Sequence, residues 1–111
     1  MRPLSVAANL TANTLTSVFT CPIGYYAKIV LIRAVNKTAS NKYISLDWTD
    51  TSASTTYSIS YQQQVTSLTT NFDFGESYLV LEEGDILKAT SEASSTFTII
   101  ATIELEGLTR L

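Results

Sequence analysis

The sequence predicts an all-β fold, an antiparallel, jelly-roll-like β-sandwich of about eight strands. Thr, Ser, Val, Ile and Tyr are abundant, and these residues fit a pleated sheet better than a helix. No segment keeps a helical hydrophobic period over about three turns. Instead, short runs of alternating polar and apolar residues are separated by clusters of Gly, Asn, Asp and Ser, as expected for a sandwich.

Length and composition indicate a single domain. The chain has 111 residues, of which 45% are hydrophobic and 15% charged, a globular composition with one core. We expect an N-terminal arm over residues 1–13, where no strand pattern stands out, a sandwich over 14–105, and a C-terminal tail over 106–111.

Eight segments carry the alternation expected of strands. The first ends before Cys21, the only cysteine of the chain, which we interpret as a small buried hydrophobe rather than a nucleophile. The predicted strands cover residues 14–20, 26–35, 42–50, 55–61, 66–74, 78–82, 86–91 and 96–105.

The second predicted strand, 26–35, is apolar on both faces. Ile29, Leu31 and Val35 share one face, whereas Val30, Ile32 and Ala34 share the other. Either a loop or a terminal segment of the chain covers the second face, or that face is a subunit interface. The candidate interface residues are Leu4, Val6 and Leu10 of the arm together with Val30 and Ile32.

The third to fifth strands each show one apolar face. The faces assigned to the core carry Ile44, Leu46 and Trp48 in the third strand and Tyr57, Ile59 and Tyr61 in the fourth, and Leu68, Phe72 and Phe74 line up in the fifth. This assignment leaves four tyrosines as candidates for exposure, namely Tyr25, Tyr26, Tyr43 and Tyr78.

The connection between the sixth and seventh strands is the acidic turn, Glu82-Glu83-Gly84-Asp85. Glycine permits a positive φ, and Asp commonly closes a turn by bonding nearby backbone, so we expect a structural hairpin turn with its carboxylates fanning outward. A calcium site collects about six to eight oxygens with a wider ligand spacing, and we predict no metal here.

The last predicted strand, 96–105, has the clearest alternation. Phe97, Ile99, Ala101, Ile103 and Leu105 line one face, and Thr and Glu dominate the other. This is typical of a strand with one wet face.

Composition also argues against several functions. The chain contains no histidine, so a Ser–His–Asp triad and most zinc sites are excluded, and we predict no enzymatic activity and no cofactor. The net charge of −3 offers no basic surface for a nucleic acid. We also expect no secretory signal and no membrane segment, because no long apolar run is present.

The order of several motifs resembles small virion structural proteins of tailed bacteriophages. The motifs that carry this resemblance are VFTCPIGYYAKIVLIRAVN, ISLDWTDTSASTTYSIS, LVLEEGDILKATSEAS and a final strand ending in ELE, and they lie within residues 15–106. The resemblance implies a head decoration (cement) subunit or a tail or neck subunit in the virion. Its expected partners are copies of itself, with a trimer favoured, and other virion proteins such as the major capsid or tail proteins.

An alternative function is a carbohydrate-binding β-sandwich module, with or without calcium. Six tyrosines and one tryptophan could stack on sugar rings. The sequence does not distinguish head, neck and tail locations, and it does not tell which face of residues 26–35 is an interface.

Overall fold

A computed structural model describes residues 2–73 and 78–107, and in these residues every regular element is a β-strand. None of the described residues forms a helix that could cross a membrane. The nine strands are β1 (Arg2–Leu10), β2 (Thr16–Thr20), β3 (Tyr25–Asn36), β4 (Lys42–Asp50), β5 (Thr55–Val65), β6 (Thr70–Asp73), β7 (Leu79–Leu81), β8 (Ile86–Ser91) and β9 (Phe97–Gly107).

The strands form two antiparallel sheets, as the sequence predicted. The first sheet has the order β1-β9-β3-β6, with β7 also paired to β3, and the second has the order β2-β8-β4-β5. Successive strand pairs alternate between the two sheets. These pairs are β1 with β9, β2 with β8, β3 with β6 and β7, and β4 with β5. The chain is therefore one long hairpin rolled into two layers, which is the jelly-roll arrangement.

All eight predicted strands have a counterpart among β2–β9, and β4 and β8 have the predicted bounds. The largest difference is at β6, predicted from residue 66 and found from Thr70. A tight turn occupies the intervening residues, because Thr69 N donates to Thr66 O at 3.2 Å and Leu68 has a φ of 57°. Leu68 is 70% exposed in this turn, so the expectation that it lies within the strand was wrong; Phe74 lies outside the described residues.

The expectation that the N-terminal arm lacks strand structure was wrong. Residues Arg2–Leu10 form β1, which pairs with β9 without a register shift from Arg2 opposite Leu105 to Leu10 opposite Phe97. The side chains alternate in exposure along the strand, with the inward ones packing against the core. The predicted tail also begins within a strand, since β9 continues to Gly107.

A β-bulge explains why β3 looked apolar on both faces. The register between β3 and β9 shifts between Ile29 and Leu31, so Val30 has no partner in β9. One extra residue in a strand exchanges its two faces beyond that point. Ile29 before the bulge and Ile32 after it are therefore both fully buried, although the sequence placed them on opposite faces.

The core lies between the two sheets, and the predicted inward face of the last strand forms its centre. Phe97, Ile99, Ala101 and Ile103 are completely buried, and Leu105 is nearly so. Asn36 is a buried polar residue at the end of β3. Its amide nitrogen donates to Val65 O at 3.0 Å and its amide oxygen accepts from Thr38 N at 2.9 Å, which fixes the loops at this end of the sandwich.

Candidate functional site

The acidic turn connects β7 to β8, and its last carboxylate points into the protein. Asp85 is 1% exposed. Its Oδ2 accepts from Trp48 Nε1 at 3.2 Å and from Glu82 N at 3.0 Å, and its Oδ1 accepts from Thr51 N at 3.1 Å. The expectation that all the carboxylates of the turn fan outward was therefore wrong for Asp85, while Glu82 is exposed as expected.

The backbone of the turn bonds to two further segments. Gly84 N donates to Cys21 O and Cys21 N donates to Asp85 O, both at 2.9 Å. The Thr51 hydroxyl donates to Gly84 O at 2.6 Å. The turn thus holds the end of β2 and the β4–β5 loop together, and we call this arrangement the Asp85 clasp. Gly84 has the positive φ, 80°, that the sequence predicted.

The geometry of the clasp favours structure over chemistry. Both Asp85 oxygens already accept hydrogen bonds from within the chain, which removes the carboxylate best placed for a calcium ion. Across the part of the chain that the structure describes, no three His, Cys, Asp or Glu residues are grouped closely enough to hold a metal ion. The absence of enzymatic activity stays a prediction.

Cys21 is a free, buried thiol beside the clasp. Its Sγ lies 3.5 Å from Tyr25 O, toward which the thiol can donate. Burial raises the pKa of the Cys21 thiol above its ordinary value, and the nearby Asp85 carboxylate raises it further. A thiol held neutral in this way is a poor nucleophile, which agrees with the role expected from the sequence.

The five candidate interface residues divide into two groups. Leu10 and Ile32 are buried in the core, and Leu4 and Val6 are partly buried against it, so these four already have partners within the chain. Burial of the three arm residues follows from the pairing of β1 with β9. Only Val30 lies outside the core, next to the half-buried Leu31 on β3.

The outer face of the first sheet carries an apolar patch around Val30 and Leu31. Leu31 pairs with Thr102 and Val35 with Thr98, both on the wet face of β9, and Ile100 lies between these threonines, opposite the exposed Arg33 of β3. All nine strands belong to the two sheets, so no described strand packs over this face. We call this set the first-sheet patch: Val30, Leu31, Val35 and Ile100, with Val80 of β7, 41% exposed, beside it.

The outer face of the second sheet is polar and contains two tyrosines. Two open depressions of about 300 and 310 Å³ adjoin there, because Tyr43 and Gln62 line both. We call the pair the Tyr43–Tyr61 groove. Its principal side chains are Tyr43, Ser45, Asp47, Tyr61, Gln62 and Gln64.

The assignment of Tyr57 and Tyr61 to the core was wrong. Tyr61 is 73% exposed and Tyr57 is 47% exposed, at a ring distance of 5.4 Å from Trp48. The register between β4 and β5 shifts twice, between Ile44 and Leu46 and again between Leu46 and Asp47, and Tyr61 falls within the shifted region. Tyr61 therefore lines a depression with the outward residues of β4. No local sequence signal marks such a shift, since it depends on the partner strand.

No protein-family model matches this chain, and no curated protein matches it either. A solved structure from work on Bacillus endospore appendages, which describes them as a novel family of disulfide-linked pili, is similar in fold with a TM-score of 0.57. The two sequences are 12% identical, and the similarity covers 97% of this chain and 88% of the other. At this identity the likeness shows the fold alone.

Proposed function

We propose that this chain is a structural subunit that assembles with copies of itself and with other proteins of a bacteriophage virion, in the head or the tail. The first-sheet patch is the observation that carries the self-assembly. It groups half-exposed apolar side chains around Arg33 on the outer face of the first sheet, and a second apolar surface of the same kind is a close chemical complement. A closed ring, with a trimer favoured, would cover it in every subunit.

Two further observations support a building-block role. The two most conspicuous buried polar groups, Asp85 and Asn36, are both used to hold loops in place. The Bacillus appendage with a similar fold belongs to pili, which are themselves repeated assemblies. Those pili are described as disulfide-linked, whereas the only cysteine here, Cys21, is buried, so the assembly proposed for this chain is non-covalent. The virion assignment itself rests on the sequence resemblance.

Self-assembly is tested by placing a charge in the first-sheet patch. Leu31→Asp should shift the protein toward monomer in sedimentation velocity while leaving its melting temperature close to that of the wild type, because Leu31 lies outside the core. Ser17→Asp, on the outer face of the second sheet, is the matched control and should leave the assembly unchanged. Ile32→Asp, one residue away in the core, should instead unfold the protein.

Two results would contradict the proposal. A wild-type chain that stays monomeric at about millimolar concentration and does not attach to particles would remove the self-assembly, since such a concentration allows even weak association. Flanking genes that encode no portal, capsid or tail protein would remove the virion assignment and leave the self-assembly to stand alone.

A further inference from the structure

The Tyr43–Tyr61 groove combines an exposed aromatic ring with amide and hydroxyl groups. Tyr61 is 73% exposed, so one ring face is open to stack on a ligand. Gln62 and Gln64 offer amides that both donate and accept hydrogen bonds, as a sugar hydroxyl does. The floor of the groove includes the outward residues Ser45 and Asp47 of β4.

The backbone beneath the groove is held in an unfavourable conformation. Gln62 has a φ of 50°, a left-handed value that is strained for a non-glycine residue and persists only where the surroundings impose it. The backbone nitrogen of Gln62 donates to Ser45 Oγ at 2.9 Å, which fixes β5 to β4 at this point. The result is a bulged strand that turns a large aromatic side chain away from the core, a device often found beside binding sites.

The charges of the groove favour a neutral ligand. Lys42 Nζ lies 3.7 Å from Glu92 Oε2, so these two lining residues offset each other. Asp47 is the remaining charged residue among those that line the two depressions. Lys88 lies directly opposite Asp47 on β8, so the charges in and around the groove balance in pairs. A phosphate, sulfate or carboxylate would therefore find no excess of positive charge there, in a chain whose net charge is already −3.

We propose that the Tyr43–Tyr61 groove binds a neutral oligosaccharide. The ring of Tyr61 stacks on a sugar face, and the amide of Gln62 bonds to hydroxyl groups beside it. The two adjoining depressions suit an extended chain better than a small enclosed molecule, because both are open and neither exceeds about 310 Å³. The groove lies on the second sheet, so this binding does not depend on assembly through the first-sheet patch.

The test is a calorimetric titration of the full chain with neutral hexasaccharides. The sugars are α- and β-linked glucose, xylose and N-acetylglucosamine. Polygalacturonate serves as the anionic comparison. At least one neutral hexasaccharide should bind, and Tyr61→Ala should weaken that binding by roughly tenfold, as loss of an aromatic anchor does at other recognition sites. Gln62→Gly should also weaken it while keeping the fold, because glycine adopts the positive φ freely.

Tyr78→Ala is the matched control, since Tyr78 is 57% exposed but neighbours β7 of the first sheet. It should leave binding unchanged, and EDTA should have no effect. The proposal is overturned if no neutral hexasaccharide binds at about 10 mM, a concentration that would detect even millimolar affinity. It is equally overturned if polygalacturonate alone binds, or if Tyr61→Ala and Gln62→Gly bind as the wild type does.

Discussion

Replacement of Asp85 by Asn tests the structural interpretation of the acidic turn. The substitution keeps the size and shape of the side chain but replaces one acceptor oxygen by an NH₂ group. In the wild type, Oδ2 accepts two hydrogen bonds and Oδ1 accepts one. Whichever way the new amide is oriented, its NH₂ group faces at least one N–H donor and that bond is lost.

The size of the effect follows from the burial of the clasp. A hydrogen bond to a charged group contributes about 1.5–3 kcal/mol, and a buried donor left unpaired costs about 1–3 kcal/mol. Because the terms overlap, we expect Asp85→Asn to lower the free energy of unfolding by about 2–4 kcal/mol, a large share of the roughly 5–15 kcal/mol typical of a domain. Asp85→Ala should cost more, since it leaves all three donors of the clasp without their acceptor.

Urea unfolding provides the measurement. Trp48 is the only tryptophan and donates to Asp85, so its fluorescence reports on the clasp, while far-ultraviolet circular dichroism reports on the sheets. Glu82→Gln is the control in the same turn, because the Glu82 side chain is exposed, and it should change stability by less than about 0.5 kcal/mol. An Asp85→Asn variant as stable as this control would refute the clasp. A calcium-induced rise in melting temperature that Asp85→Ala abolishes would show a metal site instead.

Three further predictions concern other parts of the same sandwich. Deletion of residues 1–10 should abolish cooperative thermal unfolding, because it removes β1 and the buried Leu10. Burial of Leu10 alone contributes about 1.5–3 kcal/mol to the free energy of unfolding. A near-native melting curve would show that the segment is dispensable. Gly84→Val should cost about 1–3 kcal/mol in urea titrations through its φ of 80°, since the added Cβ meets only ordinary contacts; a neutral effect would contradict the strain argument. Because the pKa of Cys21 is raised in the folded protein, the unfolded chain loses the thiol proton first as the pH rises. The contribution of Cys21 to stability is therefore full below pH 9.0 and declines above it. Cys21→Ala should lessen this decline when urea midpoints are measured against pH, and an unchanged pH profile would exclude Cys21 as its source.

Alternation along the chain predicted most strands because it is a local signal. A strand with one buried face repeats every two residues, whatever its neighbour in the sheet. The same signal was present in β1, where Leu4, Val6, Ala8 and Leu10 alternate with more exposed residues. Pro, Ala and Asn have weak β propensity, and their presence in this segment concealed the strand. Its stability comes instead from pairing with β9, almost a full chain length away.

The Asp85 clasp could be predicted only in part. Gly84 and the bond from Asp85 to the backbone of Glu82 belong to the turn itself, and local turn chemistry anticipates both. The other two donors, Trp48 and Thr51, lie 37 and 34 residues away along the chain. Because burial of the carboxylate depends on these distant partners, the sequence favoured an exposed side chain.

Register shifts in both sheets account for the wrong face assignments in β3 and at Tyr61, and they affect the chemistry of the outer surfaces. The shift at Val30 keeps both Ile29 and Ile32 in the core and leaves Leu31 on the outer face, within the first-sheet patch. The alternation along β5 assigned Tyr61 to the core, but the register shifts in the second sheet place it outside. The two proposed activities thus depend on separate irregularities in separate sheets, so a charge at Leu31 should spare oligosaccharide binding and Tyr61→Ala should spare assembly.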